Sequence, residues 1–277
     1  VRKFKPAFLL GTDIAITHIG KLQGIPSFVF NEDDYEINQI FCKASYPFAT
    51  YIVAPNYTSV GKHINKKISY NGIQKMAYLN KKYFIPNNEV LNDLDLDEKD
   101  RFVIIRLVSL TAGHDIEGKH KGISIETLKK IINILKDKYK IFITSEEKLP
   151  DEYIKYQVKI KLNHMHDLMY YSNLFIGDSQ TMCAEAGILG TPFIRYNDFV
   201  GKIEYLNDLE NNYKLGWGIK TSQTDKLYKL LQDFIQSDNV KEEWQKKKEK
   251  LFNEKDDLTE MIVNLIQTYP ESLEQVR

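Results

Sequence analysis

Residues 177–192, reading GDSQTMCAEAGILGTP, hold the side chains whose types and spacing best suit chemistry. Gly177, Asp178, Ser179 and Gln180 form a tight polar turn after the apolar run 174–176. Residues 181–189 then place Met182, Ala186 and Leu189 at helical spacing. A strand that enters a helix through such a turn points several unpaired N–H groups at one spot. The helix dipole adds positive potential there, so an anion such as a phosphate is the favoured ligand. Thr181 and Glu185 are four residues apart and share a helix face. A diphosphate at the helix start leaves Glu185 one turn deeper, roughly 5 Å on. A carboxylate there can accept two hydrogen bonds from ribose hydroxyls. The plainer alternative is an ordinary βαβ unit, with Ser179 or Thr181 as N-cap and Glu185 in solvent.

The elements that position this stretch follow from hydrophobic periodicity. Strands are expected at 7–10, 27–30 and 51–54, with helices at 13–22 and 35–44 between them. Polar turns at 11–13, 31–34 and 55–59 follow the strands. A short helix is expected at 74–79. Residues 80–100, rich in Asn and acidic residues, mark the domain boundary. Asp93, Asp95 and Asp97 in that stretch alternate with Leu; a solvated turn is preferred to a metal-holding pair. A second series begins with a strand at 101–108 and a loop at 109–122 carrying His114, Asp115 and His120. It continues with a helix capped by Ser124, a strand at 140–144, a short strand at 158–160 and a helix at 164–171. After 177–192 come Arg195, a helix near 202–212, a strand at 215–219 and amphipathic helices to the end. Strands alternating with helices imply parallel sheets, which bind ligands beyond the carboxyl ends of their strands.

Composition sets the outer limits. Of 277 residues, 43% are apolar and 27% charged, enough to bury two modest cores. Lys+Arg and Asp+Glu both total 38. A net charge of zero gives no argument for nucleic-acid or membrane-surface binding. Cys42 and Cys183 read as reduced core thiols of a cytoplasmic protein. No apolar run approaches the roughly 20 residues that span a bilayer.

Residues 177–192 resemble the donor-nucleotide motif of GT-B-fold enzymes. The chain is similar to the uncharacterised prokaryotic domain-of-unknown-function family 354 over nearly its whole length. Further matching pieces are Tyr70-Asn71-Gly72, Arg106 to Ser109, His114-Asp115, Ile143 to Glu146, His166 to Tyr171 and Thr191 to Asn197. The resemblance implies an α/β, GT-B-like protein, with two Rossmann-like domains whose parallel sheets face a cleft. Residues 1–95 would form a partial N-terminal domain on the acceptor and catalytic side, because family members carry further residues before this start. Residues 96–277 would form the nucleotide-sugar-binding domain. Carried over by position, Asp178, Ser179, Gln180 and Thr181 lie at the phosphates and Glu185 at the ribose. Arg106 and Arg195 are candidates to neutralise the diphosphate. No cofactor or metal is implied; a UDP-linked sugar is the substrate.

Two reactions are open. Glycosyl transfer, in surface polysaccharide synthesis, needs a base at the acceptor hydroxyl, for which Asp13, His18 and Glu32 are candidates. The order Asp13, Gly24-Ile25-Pro26, Glu32, Glu36-Ile37-Asn38, Ala54-Pro55 and Asp178-Ser179 is also similar to non-hydrolysing UDP-N-acetylglucosamine 2-epimerases. That resemblance implies carboxylates moving protons at C2 and the 3-hydroxyl, with His114 at the diphosphate. The departures are Gln180-Thr181, where those enzymes carry two glycines, and a shorter spacing from Asp13 to Gly24. A third reading is a nucleotide-sugar-binding protein without catalysis. Expected partners are a small-molecule nucleotide-sugar and a sugar or lipid-linked acceptor, with a homodimer as a further candidate. The plainer alternatives are a packed histidine for His18, an acidic turn for 32–34, a solvent-facing Glu36, a structural ion pair for Arg106, and capping or surface roles for His164 and His166.

Overall fold

The computed structural model describes residues 3–97, 99–108, 122–237 and 240–271. In chain order the elements begin β1 (Leu9–Gly11), α1 (Ile14–Gln23), β2 (Ser27–Phe30), α2 (Gln39–Ser45), β3 (Tyr51–Pro55), β4 (Lys67–Tyr70), α3 (Met76–Leu79) and α4 (Glu89–Asn92). Next come β5 (Phe102–Leu107), α5 (Ile125–Leu135), β6 (Lys140–Ser145), α6 (Met165–Tyr171), β7 (Leu174–Gly177), α7 (Gln180–Leu189) and β8 (Phe193–Tyr196). The chain closes with α8 (Glu204–Asn207), β9 (Gly216–Ile219), α9 (Thr224–Phe234), α10 (Val240–Glu254) and α11 (Leu258–Gln267). Two units result. The first comprises the described residues of Val1–Tyr78, Ile203–Tyr205 and Lys255–Arg277; the second those of Leu79–Lys202 and Leu206–Glu254.

In the first unit the strands run parallel in the order β1-β2-β3-β4. Alternation along β2 serves two cores, as the period of two demands. Phe28 and Phe30 join Val53, Ile68 and Tyr70 on one face, and Val29 joins Ile52 and Ala54 on the other. Cys42 and Tyr46 cover the second face. Leu258 and Leu265 of α11 cover the first. Residues 96–277 are expected to form one domain, whereas α11 belongs to the first unit. Its amphipathic spacing requires a buried face but does not say which sheet that face covers. The helix expected from 35 begins only at Gln39, after a turn in which the N–H groups of Ile37 and Asn38 both bond to the Asp34 carbonyl. Strand β4, its polar Lys67 and Ser69 alternating with Ile68 and Tyr70, was not anticipated.

The second unit is a parallel sheet in the order β6-β5-β7-β8-β9. Strands β7 and β8 are buried throughout, which suits strands covered on both faces. Helices α5 and α9 bury Leu128, Ile131, Leu135, Leu227 and Leu231 against one face. Helix α7 packs on β7 and β8, between α6 and α10. It is buried from Cys183 to Leu189, so its apolar character is not confined to one stripe. The strand expected at 158–160 is reduced to one bridge between Ile143 and Gln157. The helix expected near 202–212 is α8 followed by a π turn at Asp208–Asn212. From β5 the chain moves out to β6, then crosses to the other side of β5 as β7. This reversal creates a topological switch point between β5 and β7, where open parallel sheets hold ligands.

Helix α7 stops at Gly190, whose φ of 80° lies in the left-handed region and whose N–H closes on the carbonyls of Ala186 and Gly187. A Cβ at this position would also press on the Gln245 side chain. Gly190→Ala is therefore expected to lower stability by about 1–2 kcal/mol. The check is the urea midpoint, with circular dichroism showing the helix content retained.

Candidate functional site

Residues 177–181 cross the switch point of the second unit. Asp178 is the residue that fastens them. Its Oδ1 accepts the N–H of Val108, past the end of β5, at 2.9 Å, and its Oδ2 accepts the N–H of Ile123, before α5, at 3.3 Å. Its own carbonyl accepts Asn197 Nδ2 at 2.9 Å, and Asn197 Oδ1 accepts the Phe199 N–H. The side chain therefore ties both ends of the connection from β5 to α5 to the turn after β7, and the main-chain carbonyl adds the segment after β8. The approach is close enough that a Cβ on Gly122 would collide with the Asp178 carboxyl. Burial pushes that carboxyl up from its ordinary 3.8 to about 6, outweighing the N–H donors and the Arg106 charge, which favour ionisation.

Ser179 is the N-cap of α7, its Oγ accepting the Met182 N–H at 3.2 Å. That settles the choice between Ser179 and Thr181 as cap. The N–H groups of Gln180 and Thr181 have no intrahelical acceptor, by helix geometry. Thr181 is exposed at the helix start. Gln180 Oε1 accepts Arg195 Nη1 at 2.8 Å. Arg195 itself is fully buried, and its Nε and Nη2 meet the two carboxylate oxygens of Glu210 at 2.7 and 3.1 Å. It is a brace behind the helix start, committed to a buried carboxylate, whereas a role in neutralising a diphosphate is the expectation for it. Glu210 was not anticipated: it lies 15 residues away on the π turn, and no local pattern announces the pair.

Arg106, the penultimate residue of β5, lies opposite Gly177 of β7. Its Nη1 donates to Thr144 Oγ1 at 2.8 Å and its Nη2 to Glu146 Oε1 at 2.6 Å. The ion pair weighed against a diphosphate role is therefore present, although Glu146 is half exposed. The Nε of Arg106 is buried without a partner.

Glu185 is 7% exposed, one turn inside α7. His166 Nε2 of α6 stands 3.3 Å from its Oε1. The expectation for Glu185 is a place at a ribose, whereas His166, expected to cap a helix or lie on the surface, is its partner. The preceding histidine, His164, pairs with Asp167 at 3.3 Å.

The first unit gathers a different set. Glu32, Asp34 and Glu36 follow β2, beside the turn after β3. Glu32 is buried, ion-paired with the buried Lys75, and accepts the Gln74 N–H at 2.8 Å. Lys75 lies over the Tyr205 ring, 4.6 Å from its centroid. Asp34 Oδ1 accepts the Ser59 N–H at 2.8 Å; burial pushes its carboxyl up, against the Ser59 and Glu204 backbone donors. Glu36 is exposed, and its Oε1 accepts Ser59 Oγ at 3.2 Å. Asp13 and His18 do not join them. Asp13 caps α1 through the Ala15 N–H at 2.6 Å. The His18 ring lies 4.2 Å from that of Phe48, with Nε2 at 2.8 Å from the Ala44 carbonyl. His114 lies outside the described residues. Asp97 in the acidic stretch accepts the N–H groups of Lys99 and Asp100, the geometry of a turn. Among the described residues no group of three His, Cys, Asp or Glu is arranged to hold a metal ion, and no helix is long and apolar enough to cross a membrane.

The model of a family described as Protein of unknown function (DUF354) matches residues 21–271. No curated protein sequence matches the chain. Among solved structures, that of S. aureus MnaA with UDP is similar at a TM-score of 0.66 and 15% identity, over 98% of this chain and 78% of that one. A UDP-N-acetylglucosamine 2-epimerase gives 0.62 and 14%, over 96% and 73%. The spinosyn forosaminyltransferase SpnP gives 0.56 and 10%, over 96% and 76%. The fold is thus that of the GT-B glycosyltransferases, in an α/β chain with two parallel sheets.

The raised carboxyl of Asp178 gives a signed pH dependence. Folding favours its protonated form, so that contribution is complete below 3.8 and is lost as pH rises through about 6. Relative to Asp178→Asn, the wild type should lose about 2 kcal/mol of stability between pH 4 and pH 7.5. Urea titrations of both proteins at the two pH values test this; a pH-independent difference refutes it.

Proposed function

The chain belongs to the family described as Protein of unknown function (DUF354), and on that premise we propose that it is a nucleotide-sugar-dependent enzyme of glycosyltransferase type. The observation that carries the reading is the buried Glu185, set one turn inside a helix that starts at the switch point. The N–H groups of Gln180 and Thr181 and the helix dipole receive the diphosphate. Glu185 receives the ribose hydroxyls. UDP is the nucleotide we assign, since MnaA, of like fold, was solved with it. No metal or cofactor enters this reading.

In the transfer, the acceptor oxygen bonds to the sugar C1. The bond from C1 to the diphosphate oxygen breaks, and its electron pair leaves with the nucleotide. The acceptor proton passes to a carboxylate. Glu32, Asp34 and Glu36 are the first unit's candidates, and Asp34 is the one whose burial favours holding a proton. The setting we propose is surface polysaccharide synthesis, with a sugar or lipid-linked acceptor, in the cytoplasm.

A second reading is favoured by one observation: two buried carboxyls, Glu32 and Asp34, follow the same strand in unlike surroundings, one beside Lys75 and one desolvated. Such pairs divide acid and base roles. In a 2-epimerase they would exchange the proton at C2 while the nucleotide is eliminated and re-added.

Calorimetric titration of UDP is expected to show binding that Glu185→Gln weakens about 10- to 100-fold, the loss of hydrogen bonds to a charged group. Unchanged affinity in the variant removes Glu185 from the site. Incubation with UDP-N-acetylglucosamine in deuterated water then separates the reactions. Acceptor-dependent release of UDP supports transfer, and deuterium at C2 without acceptor supports epimerisation. Binding with neither outcome leaves a nucleotide-sugar-binding protein.

A further inference from the structure

Glu185 is a buried acidic group in the middle of a helix that is covered almost all round. A carboxylate in such a place needs a donor, and its rotamer needs a support. His166 supplies both from the neighbouring helix, with Nε2 at 3.3 Å from Oε1. A neutral ring protonated on Nε2 and the imidazolium both present an N–H to that oxygen. The ring is itself held. Phe84 meets it edge-on with centroids 6.2 Å apart. The segment carrying Phe84 is pinned to α6 where the Asn87 N–H donates to Asp167 Oδ1 at 2.9 Å. The spacing of α6 from the end of α7 is fixed by Thr191 Oγ1, which donates to the Met169 carbonyl at 2.7 Å. About one third of the His166 side chain stays exposed, while Glu185 is covered, so the pair opens to solvent on the histidine's side.

We propose that His166 is a positioning and specificity residue: it orients the Glu185 carboxylate toward the ribose of a bound nucleoside diphosphate, and thereby makes the site select ribose over deoxyribose. The inference rests on the nucleotide reading given above. Ligating carboxylates act at full strength only when a further group fixes their orientation. A carboxylate held at one oxygen meets the vicinal hydroxyls in one geometry; a loose carboxylate loses that fit. A ligand without the 2′-hydroxyl gains little from the orientation. The consequence of losing His166 must therefore appear in the ribose term and not in the diphosphate term. A purely structural histidine would weaken both nucleotides equally, or neither.

The experiment is calorimetric titration of UDP and 2′-deoxy-UDP into wild type, His166→Ala and His166→Gln, with thermal melts to verify folding. Wild type should bind UDP about tenfold more tightly than 2′-deoxy-UDP, one hydrogen bond to a charged group. His166→Ala should lower UDP affinity by a similar factor, leave 2′-deoxy-UDP nearly unchanged and collapse the ratio toward one. His166→Gln, which keeps an N–H donor, should restore part of the ratio, and it carries the test if the alanine variant does not fold. Discrimination retained in both variants overturns the inference and leaves the nucleotide site standing. Wild type that binds neither nucleotide overturns the nucleotide reading, and this inference with it.

Discussion

The candidate nucleotide site depends on the bond between Asp178 and the two N–H groups of Val108 and Ile123. A switch point is a place where the sheet parts its connections to opposite sides, leaving the ends of β5 and β7 without a common crossover. Something must hold those ends at a fixed distance, and a carboxylate just past β7 that accepts two N–H groups of the connection after β5 does so with one side chain. The same burial that makes the bridge rigid makes its charge costly, so the carboxyl titrates well above an ordinary aspartate. Asn197 adds the third connection by binding the Asp178 carbonyl. The polar turn that starts α7 is thus fixed from beneath by backbone partners, which leaves its outward N–H groups for a ligand.

A second constraint sits behind the helix start. Arg195 is wholly buried, and a guanidinium in that position is tolerated only when its charge is matched. Glu210 matches it, and Gln180 takes the remaining direction. The arrangement turns a residue that looks like a ligand-binding cation into part of the frame. Its charge still contributes positive potential near the helix start, although the neighbouring Glu210 cancels most of it at a distance. For the anion proposed at this helix start, the attraction would come chiefly from the oriented backbone, which needs no counter-ion and costs no side-chain entropy.

The first unit solves a different problem. Its strands run in one order without reversal among the described residues, and its polar cluster is built on the turns after β2 and β3. Ser59 serves Asp34 with its N–H and Glu36 with its hydroxyl, so one residue sets the spacing of two carboxyls. Lys75 gives Glu32 a buried counter-ion and rests on the Tyr205 ring. Three of the four acidic side chains in residues 32–36 thus receive three surroundings: ion-paired for Glu32, desolvated for Asp34 and exposed for Glu36. Unlike surroundings of this kind push carboxyl titrations apart, which is what the acid and base roles proposed for them would use.

The sequence by itself determined what neighbouring residues decide. The apolar runs within 27–30, 101–108 and 174–176 made strands because they are short, bounded by turn residues and rich in aromatic and β-branched side chains. Asp13, Ser124 and Ser179 made N-caps because their oxygens reach an N–H two or three residues on. Gly177, Ser179 and Glu185 were legible as a turn, a cap and a residue one helical turn on. Only the tertiary structure decided the partners. Glu210 finds Arg195 across 15 residues, Lys75 finds Glu32 across 43, and Asp256 accepts the Asn71 N–H across 185. His166 and Glu185 meet because two helices pack, and α11 covers the first unit's sheet although it follows the second unit in the chain. The physical reason is common to all of them. Periodicity and capping are short-range, fixed by helix and strand geometry, whereas the choice of counter-ion or sheet face depends on which surfaces burial brings together.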